Sequence, residues 1–184
     1  MKGIIIYKGK YGATLQYADW LADALALPVF PAGDERPSAF ALADYVIMGS
    51  SVYIGKLQLR EWMLNNQALL LDKRLFFFLV SGTPLNEQAR LEQFIGKNVP
   101  LLIRQRCSFY FLPGRLVFKK LSWTDRLLLR MGAWLGKKKG EAIVITDYDE
   151  VKAEHLQSLI NAVRSECGIP VRTGDKDLLK QSAK

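Results

Sequence analysis

Residues 3–25 read GIIIYKGKYGATLQYADWLADAL: an apolar run, a polar loop with two glycines, then a helical pattern. Three consecutive isoleucines suit a strand buried on both faces, predicted here over Gly3–Tyr7. From Thr14 the apolar positions Leu15, Ala18, Ala22 and Leu25 recur at helical spacing, and Pro28 stops the helix. The same unit recurs downstream. A short strand is predicted at Val29–Pro31, before a turn region with Gly33, Asp34 and Pro37, and an apolar strand at Tyr45–Met48 runs into Gly49-Ser50-Ser51. Leu57–Leu71 is helical in pattern. RLFFFLV at 74–80 is too uniformly apolar for a half-exposed strand, and it runs into Ser81-Gly82-Thr83-Pro84. A helix over Asn86–Lys97 and a strand over Cys107–Leu112, closed by Pro113-Gly114, follow.

Beyond Gly114 the pattern predicts a helix over Trp123–Leu135 and a short extended piece at Ile143–Ile145. A last helix, capped by Asp147 or Asp149, carries Val151, Leu156, Leu159, Ile160 and Val163 on one face. Strands alternating with helices describe an α/β fold with a doubly wound five-stranded parallel sheet between two helical layers. The expected organisation is one domain over 1–167, a basic insertion at about 113–141 after the fifth strand, and a polar tail over 168–184. Ligands of such sheets sit at the carboxyl ends of the strands. Here those ends meet the loops 8–14, 50–56 and 81–87.

Composition narrows the function classes. The chain has 184 residues, of which 49% are hydrophobic, enough for one well-packed domain. No apolar run approaches the roughly 18 residues of a membrane span. Ile4–Ile6 give way at once to Tyr7, Lys8 and Lys10, which is not the pattern of a secretory leader. The two cysteines, Cys107 and Cys167, have no metal-knuckle spacing and suggest a reducing, cytoplasmic compartment. A single histidine, His155, leaves little for a catalytic triad or a histidine metal centre. It is expected in the last helix as a structural residue, with Cys107 as a buried thiol.

Charge is the strongest compositional signal. The net charge is +8, and ten basic residues fall between Arg104 and Gly140 against one acid, Asp125. Such a local field suits nucleic acid, an anionic lipid surface or a polycarboxylate ligand, or is simply a solvated basic face. Basic residues interleaved with aromatics on an exposed strand are not evident, which argues against nucleic acid.

The loops carry the candidate site. Lys8, Gly9, Lys10, Tyr11, Gly12, Ala13 and Thr14 join a strand to a helix N-terminus, where free N–H groups and the positive dipole end suit phosphate. The loop is neither GxxxxGK[ST] nor GxGxxG, which leaves a terminal monophosphate as the simplest ligand. A tight strand-to-helix turn explains the same residues equally well. Ser50, Ser51, Val52, Tyr53, Ile54 and Gly55 place an aromatic between small residues. Tyr53 either stacks on a flat ring or packs on the neighbouring helix. Ser81, Gly82 and Thr83 permit close backbone approach in a loop without an aromatic.

These loops resemble those of flavodoxins, whose phosphate loop commonly reads [ST]-x-T-G-x-T. Gly12 and Thr14 match that pattern, while Gly9 and Tyr11 stand where hydroxyl residues are usual. The resemblance implies FMN as cofactor, with Tyr53 as the stacking aromatic. It also implies that the flavin carries the chemistry, so no catalytic acid or base is expected of the protein. LSWTDRLLLRMGAWLGKKKGEAIVITDYDEV at 121–151 is similar to flavodoxin-like, menaquinone-dependent protoporphyrinogen oxidases. The likeness lies in Trp123-Thr124-Asp125-Arg126 and in Val144-Ile145-Thr146-Asp147-Tyr148-Asp149. That likeness implies a porphyrinogen substrate and a quinone acceptor. Its alternatives are a flavodoxin-type electron carrier or quinone reductase with another partner, and a binding module that no longer holds FMN.

In the insertion, Trp123, Leu127, Met131 and Trp134 form one helical stripe, widened by Leu128 and Leu135. Arg126, Arg130 and Lys137 share another face, with Lys119 in line upstream. Such a helix either packs on the sheet or lies in an anionic membrane interface at the inner face of the membrane. Packing predicts buried tryptophans, and membrane contact predicts at least one exposed. Arg115, Lys119, Lys120, Trp123, Arg126, Arg130, Trp134, Lys137, Lys138 and Lys139 are the candidate contacts to substrate or membrane.

Overall fold

The computed structural model describes residues 1–127, 131 and 146–170. Its sheet is built from β1 (Gly3–Lys8), β2 (Val29–Pro31), β3 (Tyr45–Tyr53), β5 (Arg74–Ser81) and β6 (Cys107–Pro113), with β4 (Lys56–Leu57) folded back on β3. The order is β2-β1-β3-β5-β6 with every neighbouring pair parallel, the five-stranded doubly wound sheet expected from the strand–helix alternation. A separate antiparallel ribbon pairs β7 (Arg115–Leu116) with β8 (Tyr148–Asp149).

The apolar runs follow from this placement. Successive residues of a strand face opposite sides, so a strand covered twice must be apolar throughout. Phe77 faces a core shared with Trp62, Met63, Ile95 and Ile103, while Phe76 and Phe78 face one shared with Tyr17, Leu21, Leu159 and Val163. All three phenylalanines are fully buried, each stabilising the fold by roughly 1.5–3 kcal/mol relative to an exposed ring. Helix α1 (Ala13–Leu25) and the last helix, Gln157–Cys167, cover the Phe76/Phe78 face. The other face is covered by α2 (Pro37–Ala41), α3 (Arg60–Asn65), α5 (Gln88–Asn98) and α6 (Leu101–Arg104), with α4 (Gln67–Leu70) at their edge. Gly49 has no room for a side chain, because a Cβ there would lie 2.1 Å from the Phe78 ring.

Four expectations need correction. The loop predicted from Ser50 is strand as far as Tyr53, because Ser50 and Ser51 are paired with Leu79 and Val80 of β5 and Ser50 also with Lys8 of β1. The helix predicted from Leu57 starts at Arg60, since Leu57 is paired with Val52 in a hairpin. Neither Asp147 nor Asp149 caps the last helix. Asp147 accepts from the Phe118 N–H at 2.7 Å and Asp149 from the Val151 N–H at 3.1 Å. The helix starts only at Gln157, after a 3-10 turn over Ala153–Leu156. His155 lies in that turn, its Nδ1 3.3 Å from the Tyr17 hydroxyl. Of the predicted helix Trp123–Leu135, residues 123–127 are helical, as is 131. The rest of it, with Leu128, Arg130, Trp134 and Leu135, lies outside the described residues, as do Lys137, Lys138, Lys139, Ile143–Ile145 and 171–184.

Candidate functional site

The carboxyl ends of β1, β3, β5 and β6 meet in a cleft formed by the loop after β1, the end of β3, Ser81-Gly82 and Gly114. Gly12 is the N-cap of α1 at φ 83°, a left-handed conformation that favours glycine, and a Cβ there would meet open space. The glycine is therefore conformational. No side chain caps α1, so the N–H groups of its first turn are left for a ligand.

Gly9 has the opposite character. A Cβ on it would lie 2.4 Å from Thr14 Oγ1 and 3.6 Å from Ser51 Oγ. Both hydroxyl oxygens are buried and without a hydrogen-bond partner, as is the Tyr11 hydroxyl. Buried hydroxyls are almost always paired, so two converging on a bare backbone form a cradle of the kind an anion fills. A serine at position 9 would collide with Thr14. The hydroxyl missing there, relative to the flavodoxin pattern, is thus tied to the position Thr14 takes.

The outer part of the cleft is governed by charge. Asp125, from the helical segment at 123–127, is 4% exposed and reaches back to the loop after β1. Its Oδ2 lies 2.7 Å from the Lys10 ammonium, and its Oδ1 accepts from the same ammonium at 3.0 Å. The Tyr53 hydroxyl also donates to Oδ1. Lys10 Nζ in turn stands 4.0 Å from the centroid of the Tyr53 ring. The bonds to Asp125 and then Tyr53 hold the lysine pKa above its ordinary value, keeping it charged. Facing this triad, Arg115 lines the cleft and is 3.6 Å from Asp149. Tyr148 covers the third loop, its hydroxyl 2.1 Å from where a Gly82 Cβ would stand.

Most of the loop residues expected at a site do meet here. Lys10, Tyr11, Ala13, Thr14, Ser51, Val52, Tyr53, Ser81 and Gly82 line the cleft, joined by Arg115. Ser50 does not belong with them: it is fully buried, and its hydroxyl accepts from the Leu59 N–H and donates to the Ser51 carbonyl, both at 3.1 Å. Lys8 is exposed at the end of β1. Ile54 and Gly55 form the two-residue turn between β3 and β4, both at positive φ, fastened by Asn98, which donates to the Gly55 carbonyl at 3.2 Å. The Thr83 N–H donates to Ser81 Oγ at 3.2 Å.

The basic insertion divides. Lys119 and Lys120 are exposed. Arg126 is instead engaged inside its own segment, donating to the carbonyls of Leu121 at 3.1 Å and Lys119 at 2.7 Å. Trp123, Leu127 and Met131 are 74%, 50% and 51% exposed, so this part of the stripe does not pack on the sheet. Asp125, Gly114 and Tyr148 also stand at the cleft, none of them expected there from the sequence. Asp125 did leave a signal, as the lone acid in a long basic run. Neither cysteine is activated: Cys167 is buried, Cys107 is half-buried rather than the buried thiol expected, and desolvation pushes both thiols up.

The sequence pattern of the flavodoxin domain matches residues 4–142, well over half of the chain. Among curated proteins nothing matches. Among solved structures, a WrbA-like flavodoxin from Agrobacterium tumefaciens is 17% identical, covering 68% of this chain and 87% of its own, with a TM-score of 0.46. A flavodoxin from the domain Archaea is 15% identical over 77% of this chain and 100% of its own, with a TM-score of 0.41. A Pseudomonas aeruginosa flavodoxin is 15% identical over 76% of this chain and 97% of its own, with a TM-score of 0.42. The domain match over most of the chain, on a sheet of order β2-β1-β3-β5-β6, shows the family: the chain belongs to the flavodoxin domain family, and its cofactor is FMN.

Proposed function

We propose that the chain is an FMN-dependent two-electron oxidoreductase of the protoporphyrinogen dehydrogenase type, working at the cytoplasmic face of an anionic membrane and passing electrons from a flat anionic substrate to a quinone. Bound FMN supplies the redox chemistry, and the protein supplies position and electrostatics. In this reading the phosphate is held by the first turn of α1, Thr14 Oγ1 and Ser51 Oγ. Tyr53 orients the ring, and Gly82 lets it approach the backbone. Arg115, on the cleft wall, offers a cation to substrate carboxylates.

The observation that carries the proposal is the exposed apolar stripe of Trp123, Leu127 and Met131 next to Lys119 and Lys120. An aromatic and aliphatic stripe flanked by lysines suits a lipid interface, where a quinone also resides. Among the described residues no helix is long and apolar enough to cross a membrane, so contact would be peripheral. The net charge of +8 disfavours the other flavodoxin role, one-electron shuttling to basic partners.

Three measurements test this. Purified protein that stays colourless in excess FMN would remove the cofactor assignment. Anaerobic oxidation of protoporphyrinogen with a quinone, no faster than with free FMN, removes the substrate. Co-sedimentation with anionic vesicles is expected to exceed that with neutral ones and to fall for Trp123→Ala; equal binding to both removes the membrane.

A further inference from the structure

We infer that Asp125 is a built-in occupant of the flavin site: its carboxylate holds Lys10 and Tyr53 together, and FMN binds in exchange for that contact. This rests on the FMN assignment and adds to it a residue of the insertion that sets cofactor affinity. Three observations converge. Asp125 is 4% exposed and paired with Lys10 at 2.7 Å, within the loop that must receive a phosphate. The ammonium it holds stands 4.0 Å from the Tyr53 ring centroid, on a ring whose face a flavin would stack against. The cleft between these groups measures about 80 Å³, against roughly 300–1,000 Å³ for ordinary cofactor pockets. While the bridge stands, Lys10 covers the face of the Tyr53 ring on which a flavin would stack.

The chemistry of the exchange is simple. A carboxylate and a phosphate compete for the same ammonium, and the two anions repel each other if both remain. The phosphate brings more charge and also reaches the unpartnered Thr14 and Ser51 hydroxyls, which Asp125 leaves untouched. When Lys10 turns to the phosphate, the Asp125 carboxylate loses its ammonium partner and Tyr53 recovers a free face. The helical segment carrying Asp125, pinned to the core domain through this contact, is then released. What remains is the Asp125 N–H bond to Ser122 Oγ at 3.2 Å and, just upstream, the buried Leu121.

Asp125→Asn keeps the shape and removes the charge. Its expected effect is FMN binding tighter by about tenfold or more, the scale of one charge-assisted contact, read from quenching of flavin fluorescence on titration. The second readout needs no flavin. Trypsin cleavage after Lys119, Lys120 and Arg126 should be slow in the apo wild type, faster once FMN is added, and already fast in apo Asp125→Asn. Tyr53→Phe deletes only the hydroxyl contact and keeps the ring, so it should move both readouts in the same direction, and it replaces Asp125→Asn should that variant not fold. FMN binding that is unchanged or weaker in folded Asp125→Asn overturns the inference. Equal cleavage of the two apo proteins also overturns it, whatever FMN does. Should FMN bind neither protein, the cofactor assignment fails, and the apo cleavage comparison still decides whether Asp125 pins the insertion.

Discussion

Replacing Thr14 by valine removes one oxygen and leaves the side-chain shape almost unchanged, and the cleft geometry gives this change two effects of opposite sign. Thr14 is 1% exposed, and its Oγ1 has no hydrogen-bond partner in the protein. An unpaired buried hydroxyl costs about 1–3 kcal/mol of desolvation, which a methyl group does not incur. The apo protein should therefore gain about 1 kcal/mol, a rise of roughly 2–4 °C in Tm for a chain of this size. If Thr14 holds the FMN phosphate, the same substitution deletes a hydrogen bond to a charged group, worth about 1.5–3 kcal/mol. FMN binding should weaken by about ten- to a hundredfold. The assay is a pair of measurements on one variant: thermal melting of apo protein and titration with FMN. Damage to packing would lower both quantities together, and a cleft unrelated to phosphate would leave affinity unchanged. Either result refutes the assignment of Thr14 to the phosphate.

Ile54 sits at φ 49° in the two-residue turn between β3 and β4 and is 63% exposed. A left-handed conformation costs an ordinary L-residue about 1–2 kcal/mol, and Asn-Gly is a favoured pair for such turns. Ile54→Asn should raise Tm by roughly 2–4 °C, and a lower Tm would show that the isoleucine packs where it is needed. Tyr17 is fully buried, and its hydroxyl donates to the Pro113 carbonyl at 3.0 Å, tying α1 to the end of β6. Tyr17→Phe should cost about 1–3 kcal/mol in denaturant titrations, because the carbonyl is left unpaired; an unchanged midpoint refutes that tie. Burial pushes both Tyr17 and Tyr45 from 10.0 up to about 12. The unfolded chain then loses these protons first, so stability is full below pH 10 and falls as pH rises from 10 to 12. Tyr45→Phe should flatten that fall, and an equal slope in wild type and variant refutes it.

The sheet was legible because its strands are covered on both faces, and a run such as Leu75–Val80 has few other fates. The loop after β1 was legible as a wall of the cleft for a local reason: strand, glycine loop and helix are consecutive. The end of β3 was not, because Ser50 to Tyr53 carry the composition of a loop while β1 and β5 pair with Ser50, β5 with Ser51, and β4 with Val52 and Tyr53. The third loop lacks an aromatic in its own sequence, yet Tyr148 covers Gly82 from the ribbon beyond the insertion. Asp125 and Lys10 are 115 positions apart, and nothing in either neighbourhood points to the other. Contacts of that kind depend on how a connection folds back, and hydrophobic period does not encode it.

The position of Asp125 also explains why the insertion can be so basic. The run from Arg104 to Gly140, ten cations and one acid, would ordinarily place the acid on the surface, where it weakens the local field. Here the acid is buried and paired with Lys10, a residue of the loop after β1. Its charge is thereby removed from the outer surface, and Lys119 and Lys120 are left exposed without it. Trp123 stands two residues from Asp125 on the same helical segment, 74% exposed. The helical segment 123–127 thus ties Asp125 to the loop after β1 and turns Trp123 and Leu127 outward. Any partner that seats on Trp123 and draws the segment outward must also pull on Lys10. By linkage, a flavin that takes Lys10 must change how that partner binds by the same factor.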